Sequence, residues 1–395
     1  MKKLMILGAS YSQLPLYEAA RKLGAATVAA STPGDWPGFA VADESVYADI
    51  TNPEAILKAA QEKGIDGIAT CCLDAGVRAL GYTCEKMGLI GPSARAADIS
   101  NDKFKMKEAF MAGGVQCARH ICIHSLEELE EALEKLEFPV VLKAVDLMGS
   151  RGIFRCNTRE ETFFYYNKTM EATRKDYCLV EEFIEGQVLG CEAMIRDGKL
   201  LYCLPNNIEA FQSYVPTPIG HSVPYRKQEE LGAEVRHQVE LAIKAVGLDN
   251  CPVNCDLIEK DGKIYVIEIT GRAGGTCLPE MVSIYYGINY YEAIVRLALG
   301  MDVEEIFRGK TSGVANLSRT LLSEKDGVVK AIHNENEPAE DIMDLSFNIA
   351  PGEEVHHYTN GRDRLGQVIL RGESLESCEK RLQEILSKIN IEFTV

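Results

Sequence analysis

The run from Asn254 to Gly275 contains two β-rich stretches on either side of a Lys-Asp-Gly turn at residues 260–262. Glycine after aspartate favours a type I turn closed by a left-handed glycine, so the sequence predicts an antiparallel hairpin with Glu259 opposite Lys263. Successive strand residues point to opposite faces, so this register assigns every side chain of the hairpin to one of two faces.

One face of the predicted hairpin is polar, because Asp256 and Glu268 share it and Thr270 and Arg272 extend it at period two. The opposite face is expected to be the apolar one and to hold Val253, Cys255, Leu257, Tyr265, Ile267 and Ile269. Two carboxylates one cross-strand diagonal apart, roughly 7 to 8 Å at the backbone, suit a shared divalent cation. A solvated face with Arg272 as counter-ion is the alternative.

Length and charge restrict the class of protein. A chain of 395 residues is too long for one hydrophobic core and predicts two to four domains or lobes. The formal net charge of −17 disfavours nucleic acid and anionic membrane surfaces as partners, although one nucleotide could still bind in a locally basic cleft.

The apolar run near the N-terminus, MKKLMILGAS, is shorter than the core of a secretory signal, and no stretch approaches the roughly 18 apolar residues of a membrane span. The 13 cysteines are an odd number and lack CxxC spacing. We therefore expect reduced thiols and a cytoplasmic protein.

Residues 1 to about 92 alternate strand-like and helix-like runs, which is typical of a parallel α/β layer. The first turn, Gly8 to Gln13, lies where a dinucleotide fingerprint would stand but lacks its second and third glycines. It gives only weak support to a nicotinamide cofactor.

Two lysines occupy positions that favour a bound anion. Lys103 falls in the first turn of a predicted helix that is capped at Ser100 or Asn101 and ends at Gly113 and Gly114, where the helix dipole disfavours a cation. Lys143 lies inside the apolar strand PVVLKAV, where a charge is costly unless it is paired.

The strand that contains Lys143 is followed by a flexible loop with Gly149, Ser150 and Gly152, whose amides can turn toward phosphate oxygens. Further on, LVEEFIEG reads as a strand with two acidic residues, Glu181 and Glu182. The exposed backbone of such a strand can recognise adenine.

Taken together, the two lysines, the glycine loop, LVEEFIEG and YVIEITGRAGG resemble the ATP-grasp superfamily, in the carboxylate-amine ligase branch that includes biotin carboxylase, glycinamide ribonucleotide synthetase and L-amino-acid dipeptide ligases. The resemblance covers essentially the whole chain. It implies an α/β and α+β fold with a pre-ATP-grasp α/β domain at 1–92, an ATP-grasp domain at 93–309 whose small lobe spans about 118–180, and a C-terminal α+β module at 310–395.

The resemblance also implies roles for individual residues. Lys103 and Lys143 would hold ATP phosphates under the loop of Gly149, Ser150 and Gly152, and Lys143 would act in catalysis with Arg272, which steadies the transferring group. The nucleotide would further contact Glu181, Glu182, Phe183 and Ile184, with the main chain of Glu182 and Ile184 reading adenine. The metal ligands would be Asp256, Glu268 and Thr270, binding Mg²⁺, with Mn²⁺ as the alternative.

Three residues depart from the pattern of the family. Thr270 stands where asparagine is usual, and Gly271 replaces a common proline or threonine. Val188 occupies a place that often holds the ribose-binding glutamate, which leaves Glu192 or Glu185 for that role.

The implied function is an ATP-dependent ligase that joins a small carboxylate, such as an amino acid, to an amine through an acyl-phosphate. A homodimer is the assembly that the resemblance suggests. A biotin-carboxylase-like or purine-pathway enzyme is the rival within the superfamily. An NAD-dependent oxidoreductase and a non-catalytic nucleotide-binding protein are the alternatives from other classes.

Overall fold

The structure is a computed structural model that describes residues 1–147, 149, 151–211, 217–309, 313–359 and 363–394. The chain begins with four parallel strands that alternate with helices, in the sheet order β3-β2-β1-β4. The elements are β1 (Lys3–Leu7), α1 (Leu14–Lys22), β2 (Ala26–Ser31), α2 (Pro37–Val41), β3 (Glu44–Tyr47), α3 (Pro53–Lys63), β4 (Gly67–Ala69) and α4 (Val77–Met87). The expected parallel α/β domain is therefore present.

Two helices, α5 (Ala94–Ser100) and α6 (Lys103–Gly113), lead into the next domain. The cap of α6 is Asp102, whose carboxylate accepts hydrogen bonds from the amides of Phe104 and Lys105 at 3.1 and 3.2 Å. The predicted cap at Ser100 or Asn101 is wrong because Ser100 already ends α5. Gly114 closes α6 in the left-handed conformation, as the sequence predicts.

A small lobe follows, with an antiparallel four-stranded sheet in the order β5-β8-β6-β7. Its elements are β5 (His120–Ile123), α7 (Leu126–Leu133), β6 (Val140–Ala144), β7 (Ile153–Cys156), α8 (Arg159–Ala172) and β8 (Cys178–Glu182). Leu129, Leu142 and Val180 belong to its core, which is separate from those of the other domains.

The large lobe is built on long antiparallel strands. Its elements are β9 (Gln187–Arg196), β10 (Lys199–Phe211), β11 (Thr217–Val223), α9 (Gln228–Val246), β12 (Cys251–Lys260), β13 (Lys263–Thr270), α10 (Leu278–Tyr286), α11 (Tyr290–Ala298) and α12 (Glu304–Phe307). One face of the sheet packs on α6 and α9 through residues such as Cys255 and Leu257, while α10 and α11 cover the other face beside the N-terminal domain.

The C-terminal part consists of β14 (Ala315–Leu321), β15 (Gly327–Asn334), β16 (Ile342–Phe347), β17 (Glu354–Val355), β18 (Gly366–Gly372), α13 (Leu375–Leu386) and β19 (Ile389–Thr394). β14 pairs with β11, so one eight-stranded sheet in the order β13-β12-β9-β10-β11-β14-β18-β16 crosses the predicted boundary at residue 310. The C-terminal module thus extends the large lobe, and only β17-β15-β19 form a sheet of their own.

No helix among the described residues combines the length and the apolar composition that a membrane span requires.

The N-terminal domain docks tightly on α11, and Gly67 marks the contact. A Cβ atom added to Gly67 would lie 2.4 Å from the carbonyl oxygen of Ala298, which is backbone and cannot easily move. We expect Gly67→Ala to destabilise the protein by roughly 1 to 3 kcal/mol, the usual cost of overpacking. Thermal unfolding checks this, with Gly313→Ala as the matched control, because no atom lies within 4 Å of a Cβ there. Equal unfolding midpoints for the two variants would contradict the prediction.

Candidate active site

A cleft of about 1260 Å³, including its open mouth, lies between the small lobe and the face of the large sheet that carries Asp256. Its lining includes eight charged residues from both lobes and from α6, namely Lys103, Lys107, Lys143, Arg155, Glu181, Glu182, Asp256 and Glu268. Apolar residues line the rest, including Val141, Ile184, Val188, Ile208, Leu257 and Ile267. Apolar walls with a few convergent charges are typical of a ligand site.

The turn of the β12-β13 hairpin differs from the prediction. Lys260 pairs with Lys263, and both Asp261 and Gly262 have positive φ, at 52° and 76°. This is a two-residue connection of the kind that matches strand twist, so the predicted Glu259 to Lys263 pairing is wrong by one residue.

A β-bulge between Asp256 and Leu257 compensates for that shift, because Leu257 pairs with Val266 whereas Asp256 pairs with Glu268. Asp256 and Glu268 therefore do share a face, and they lie directly opposite each other instead of on a diagonal. Between the turn and the bulge the strands keep the shifted register, which pairs Tyr265 with Ile258, so Tyr265 and Ile267 line the cleft while Ile264 and Val266 fill the core. The prediction that Tyr265 and Ile267 lie on the apolar core face is therefore wrong.

Lys103 and Glu268 form an ion pair in the cleft, with 3.1 Å between Nζ and Oε2. Lys103 is buried and also donates to the carbonyl oxygen of Leu147 at 2.8 Å. Burial alone would lower the pKa of Lys103, but the carboxylate of Glu268 outweighs it and raises the pKa. For Glu268 the opposite balance holds: burial would raise its pKa, and Lys103 lowers it.

Lys143 also has an anionic partner, Glu181 of β8, at 2.7 Å. Lys107, on the turn of α6 after Lys103, approaches the same Glu181 oxygen at 3.4 Å. Burial alone would raise the pKa of Glu181, but the two lysines lower it to about 2. The second oxygen, Oε1, has no hydrogen-bond partner among the described residues.

Asp256 has a different environment from Glu268. Burial, reinforced by the neighbouring charge of Glu268, raises the pKa of Asp256 to about 7. Two facing carboxylates of which one resists ionisation form an oxygen-rich site that a hard divalent cation would neutralise. Asp256 and Glu268 therefore fit Mg²⁺.

Thr270 is buried on the same side as Glu268, near Lys103, and its hydroxyl has no hydrogen-bond partner among the described residues. Its cross-strand neighbour is Asn254. An unpartnered hydroxyl beside Glu268 is consistent with the predicted neutral metal ligand.

Arg272 is held by the N-terminal domain. Its Nε and Nη2 atoms each lie 2.7 Å from Asp74 Oδ1, and Nη1 donates to Asn254 Oδ1 at 3.2 Å. Asp74 follows β4 at the domain junction, a position that sequence spacing could not connect with Arg272.

The end of β8 and the linker after it line the cleft with Glu182, Phe183 and Ile184, as predicted for a nucleotide-binding strand. Arg155 of β7 stacks on Phe183, with its guanidinium carbon 4.2 Å from the ring centre. Sequence reasoning missed Arg155 and Lys107. Lys107 follows Lys103 by four residues and therefore lies on the same face of the helix, so the sequence does contain a signal for Lys107.

The glycine loop is only partly described. Gly149 lines the cleft, whereas Gly152, with φ at 66°, packs where a Cβ would meet Ala144 at 2.8 Å. Ser150 lies outside the described residues.

Glu192 is absent from the cleft lining that the structure describes. It is fully buried, accepts from Asn254 Nδ2 at 2.8 Å and from the Gly274 amide at 3.2 Å, and burial raises its pKa to about 8. The geometry does not favour a ribose contact from Glu192, while Val188 does line the cleft.

The turn after β1 has a packing explanation. A Cβ on Gly8, which has φ at 97°, would lie 2.7 Å from Leu73 and 2.9 Å from Gln13 Oε1. Gly8 therefore allows a close approach within the domain, and nothing in the turn favours a dinucleotide.

Parts of the chain match two family models. A family model of the ATP-grasp domain matches residues 100–276, and one of the L-amino acid ligase C-terminal domain 2 matches residues 319–394. A phosphoribosylglycinamide synthetase structure from Anaerococcus prevotii is 40% identical, with a TM-score of 0.86 and 100% of both chains covered.

Two more distant structures share the fold. An L-amino acid ligase from Bacillus licheniformis is 20% identical with a TM-score of 0.86, covering 100% of this chain and 99% of that one. A biotin carboxylase domain dimer of the Hydrogenobacter thermophilus 2-oxoglutarate carboxylase, solved with MgADP and bicarbonate, is 19% identical with a TM-score of 0.79, covering 99% and 91%.

Fold and site thus define a nucleotide-dependent ligase. The chain belongs to the ATP-grasp superfamily, in its carboxylate-amine ligase branch. It is an enzyme that uses ATP to form carbon–nitrogen bonds.

The raised pKa of Asp256 gives a prediction about stability. The folded protein keeps this proton at pH values where the unfolded chain has lost it, so the contribution of Asp256 to the free energy of unfolding falls as the pH rises from about 4 to about 7. We expect Asp256→Asn to raise the unfolding midpoint of the metal-free, nucleotide-free protein at pH 8, and to raise it less at pH 5.

Thermal unfolding in EDTA at both pH values measures this effect. Asp261→Asn, which removes a charge from the exposed turn of the same hairpin, is the control and should show no such difference between the two pH values. A gain for Asp256→Asn that is the same at pH 5 and pH 8 would contradict the assignment.

Proposed function

We propose that the enzyme activates the carboxylate of an amino acid or a similar small molecule and joins it to a second small amine. The observation that carries the proposal is the facing pair Asp256 and Glu268 in a cleft with three buried lysines. The match of residues 319–394 to the C-terminal domain of L-amino acid ligases favours an amino acid as one substrate.

The chemistry requires little covalent help from the protein. A carboxylate oxygen of the substrate attacks the terminal phosphorus of ATP, and ADP leaves. The acyl-phosphate formed is then attacked at its acyl carbon by the amine, phosphate leaves, and the amine loses a proton. Positioning and neutralisation of charge are the main demands in such transfers.

Each predicted residue has a proposed task within this chemistry. Lys103, Lys143 and the loop at Gly149 hold phosphates, the segment Glu181 to Ile184 holds adenine, and Arg272 steadies the transferring group. Asp256, Glu268 and Thr270 hold magnesium, which would neutralise phosphate charge. The support is that one cleft is lined by Lys103, Lys143, Gly149, the segment Glu181 to Ile184, Asp256 and Glu268, whereas Gly152, Arg272 and Thr270 are not among its described lining residues.

A purine-pathway ligase is the second candidate. It is favoured by the 40% identity, over both whole chains, to a phosphoribosylglycinamide synthetase. The two candidates differ in the amine: a second amino acid in the first, and a phosphorylated sugar amine in the second.

We further infer a homodimeric, cytoplasmic enzyme. The support for the first is the dimer of the biotin carboxylase domain from Hydrogenobacter thermophilus, and for the second the 13 free cysteines. Sedimentation equilibrium tests the dimer, and fractionation of the source cells tests the location.

A substrate matrix tests the proposed reaction. Pairs of amino acids, and glycine with a phosphoribosyl amine, are screened for ADP and phosphate release, with mass spectrometry of the amide product. We expect an amino-acid pair to give turnover that Glu268→Gln abolishes and that Glu240→Gln, on the exposed face of α9, leaves unchanged. Turnover only with the sugar amine would select the second candidate, and ATP use without any amide would refute both.

Thr270 leads to a prediction about metal affinity. A threonine hydroxyl is shorter than an asparagine amide, so we expect a second magnesium ion to bind weakly in the native enzyme. Thr270→Asn extends a neutral oxygen on the same face and should lower the magnesium concentration for half-maximal ADP binding and for turnover. Magnesium titrations of both proteins by calorimetry and activity measure this. An unchanged or higher magnesium requirement would show that Thr270 is no metal ligand.

A further inference from the structure

The side chain of Asn206 is buried and lies in the same row of the large sheet as Asp256, on the side of Asp256 away from Glu268. On the large sheet, Asp256 pairs with Gly190, and Gly190 pairs with Asn206 of β10. These three residues form one row across β12, β9 and β10. Since adjacent strands are about 5 Å apart, Asn206 lies two strand spacings from Asp256 at the backbone.

Gly190 allows the side chain of Asn206 to lie over the middle strand. A Cβ added to Gly190 would be 2.7 Å from Asn206 Oδ1 and 3.0 Å from Nδ2, so both amide atoms are close above Gly190. The amide group is thereby brought to within about one strand spacing of the strand that carries Asp256. Any larger residue at position 190 would exclude it.

His221 of β11 fixes the amide from the other side. Its Nδ1 is 3.0 Å from Asn206 Oδ1, and both residues are buried. Burial lowers the pKa of His221 to about 4, so the ring is neutral at physiological pH and donates from Nδ1 to the amide oxygen.

This leaves Asn206 Nδ2 as a donor. It has no hydrogen-bond partner among the described residues, although Asn206 is only 1% exposed. Buried polar groups are normally paired, and an unpaired one in a functional region calls for an explanation. A ligand oxygen held beside Asp256 would supply the acceptor.

We propose that Asn206 contacts substrate through Nδ2, donating to an oxygen of the terminal phosphoryl group of ATP, and that His221 is the positioning residue for that amide. The assignment depends on the proposed function, in which Asp256 and Glu268 hold the metal that binds the phosphates. The lysines and the metal already supply positive charge there. A neutral donor adds direction without further charge.

The test compares two nucleotides that differ in the terminal phosphoryl group. MgADP and MgAMP-PNP are titrated calorimetrically into the wild-type protein and into Asn206→Ala. We expect the Kd of MgAMP-PNP to rise about tenfold or more, as for loss of one hydrogen bond to a charged group, and that of MgADP to stay within about twofold. Equal changes for the two nucleotides, or none for either, would overturn the proposal.

Substitutions at His221 separate positioning from a purely structural role. His221→Phe should weaken MgAMP-PNP selectively, whereas His221→Gln, which can still donate to Asn206 Oδ1, should restore the wild-type ratio of the two Kd values. If Gln fails to restore a ratio that Phe has changed, the positioning role is wrong.

Two control variants separate an effect on nucleotide binding from a loss of folding or stability. Asn206→Asp preserves shape and replaces the donor by an acceptor, so it should disfavour MgAMP-PNP even if the alanine variant does not fold. The adjacent Asn207 bonds to the Ser222 and Pro224 carbonyls at 3.0 and 2.9 Å, so Asn207→Ala should cost stability without changing the ratio of Kd values. A wild-type protein that binds neither nucleotide would refute the proposed function as well, whereas normal wild-type binding with an unchanged variant ratio refutes only the role of Asn206.

Discussion

The direct pairing of Asp256 with Glu268 is the constraint on which the rest of the site depends. Like charges in directly opposed strand positions repel each other, and partial burial strengthens the repulsion. Lys103 pairs with Glu268, and Arg272 is within electrostatic range of Asp256 without bonding to it. Burial and the charge of Glu268 still raise the pKa of Asp256. A divalent cation at the proposed metal site would relieve this repulsion, so the fold would contribute to the energy of metal binding.

Helix α6 forms ion pairs with both lobes of the cleft. Lys103 pairs with Glu268 on the large sheet, and one turn later Lys107 pairs with Glu181 on the small lobe. Buried ion pairs add little net stability because both charges lose hydration, but breaking one is costly. The two lysines therefore act mainly to define which lobe arrangement is favourable. A nucleotide phosphate that binds Lys103 would compete with Glu268 for this lysine. It would thereby change which arrangement of the two lobes is favourable.

Much of this site could be predicted from local rules. A lysine in the apolar strand around Lys143, strand periodicity through Glu268, and the glycine that ends α6 each leave a signal in the sequence. The bulge after Asp256 leaves no signal in the sequence, because it depends on the pairing of two whole strands. The predicted turn register is wrong by one residue, and the bulge returns Asp256 and Glu268 to the same face of the hairpin. The register between the turn and the bulge places Tyr265 and Ile267 on the cleft face. Glu192 shares a face of β9 with Gly190 but lies further along the strand, opposite Asn254. Which stretch of that face the cleft reaches depends on the pairing of the strands, and no spacing in the sequence reveals it.

The position of Arg272 depends on contacts that are distant in sequence. Asp74 and Asn254 bind its guanidinium, the amide of Cys72 donates to the Ala273 carbonyl at 3.0 Å, and the amide of Gly274 donates to Glu192. The N-terminal domain and the large sheet thus hold the same short loop from two sides. An arginine fixed in this way does not have to reorganise when charge develops on a bound substrate, which is the condition under which an electrostatic contact is most effective in catalysis. With the role proposed for Arg272, the docking of the N-terminal domain would contribute to the active site as well as to the scaffold.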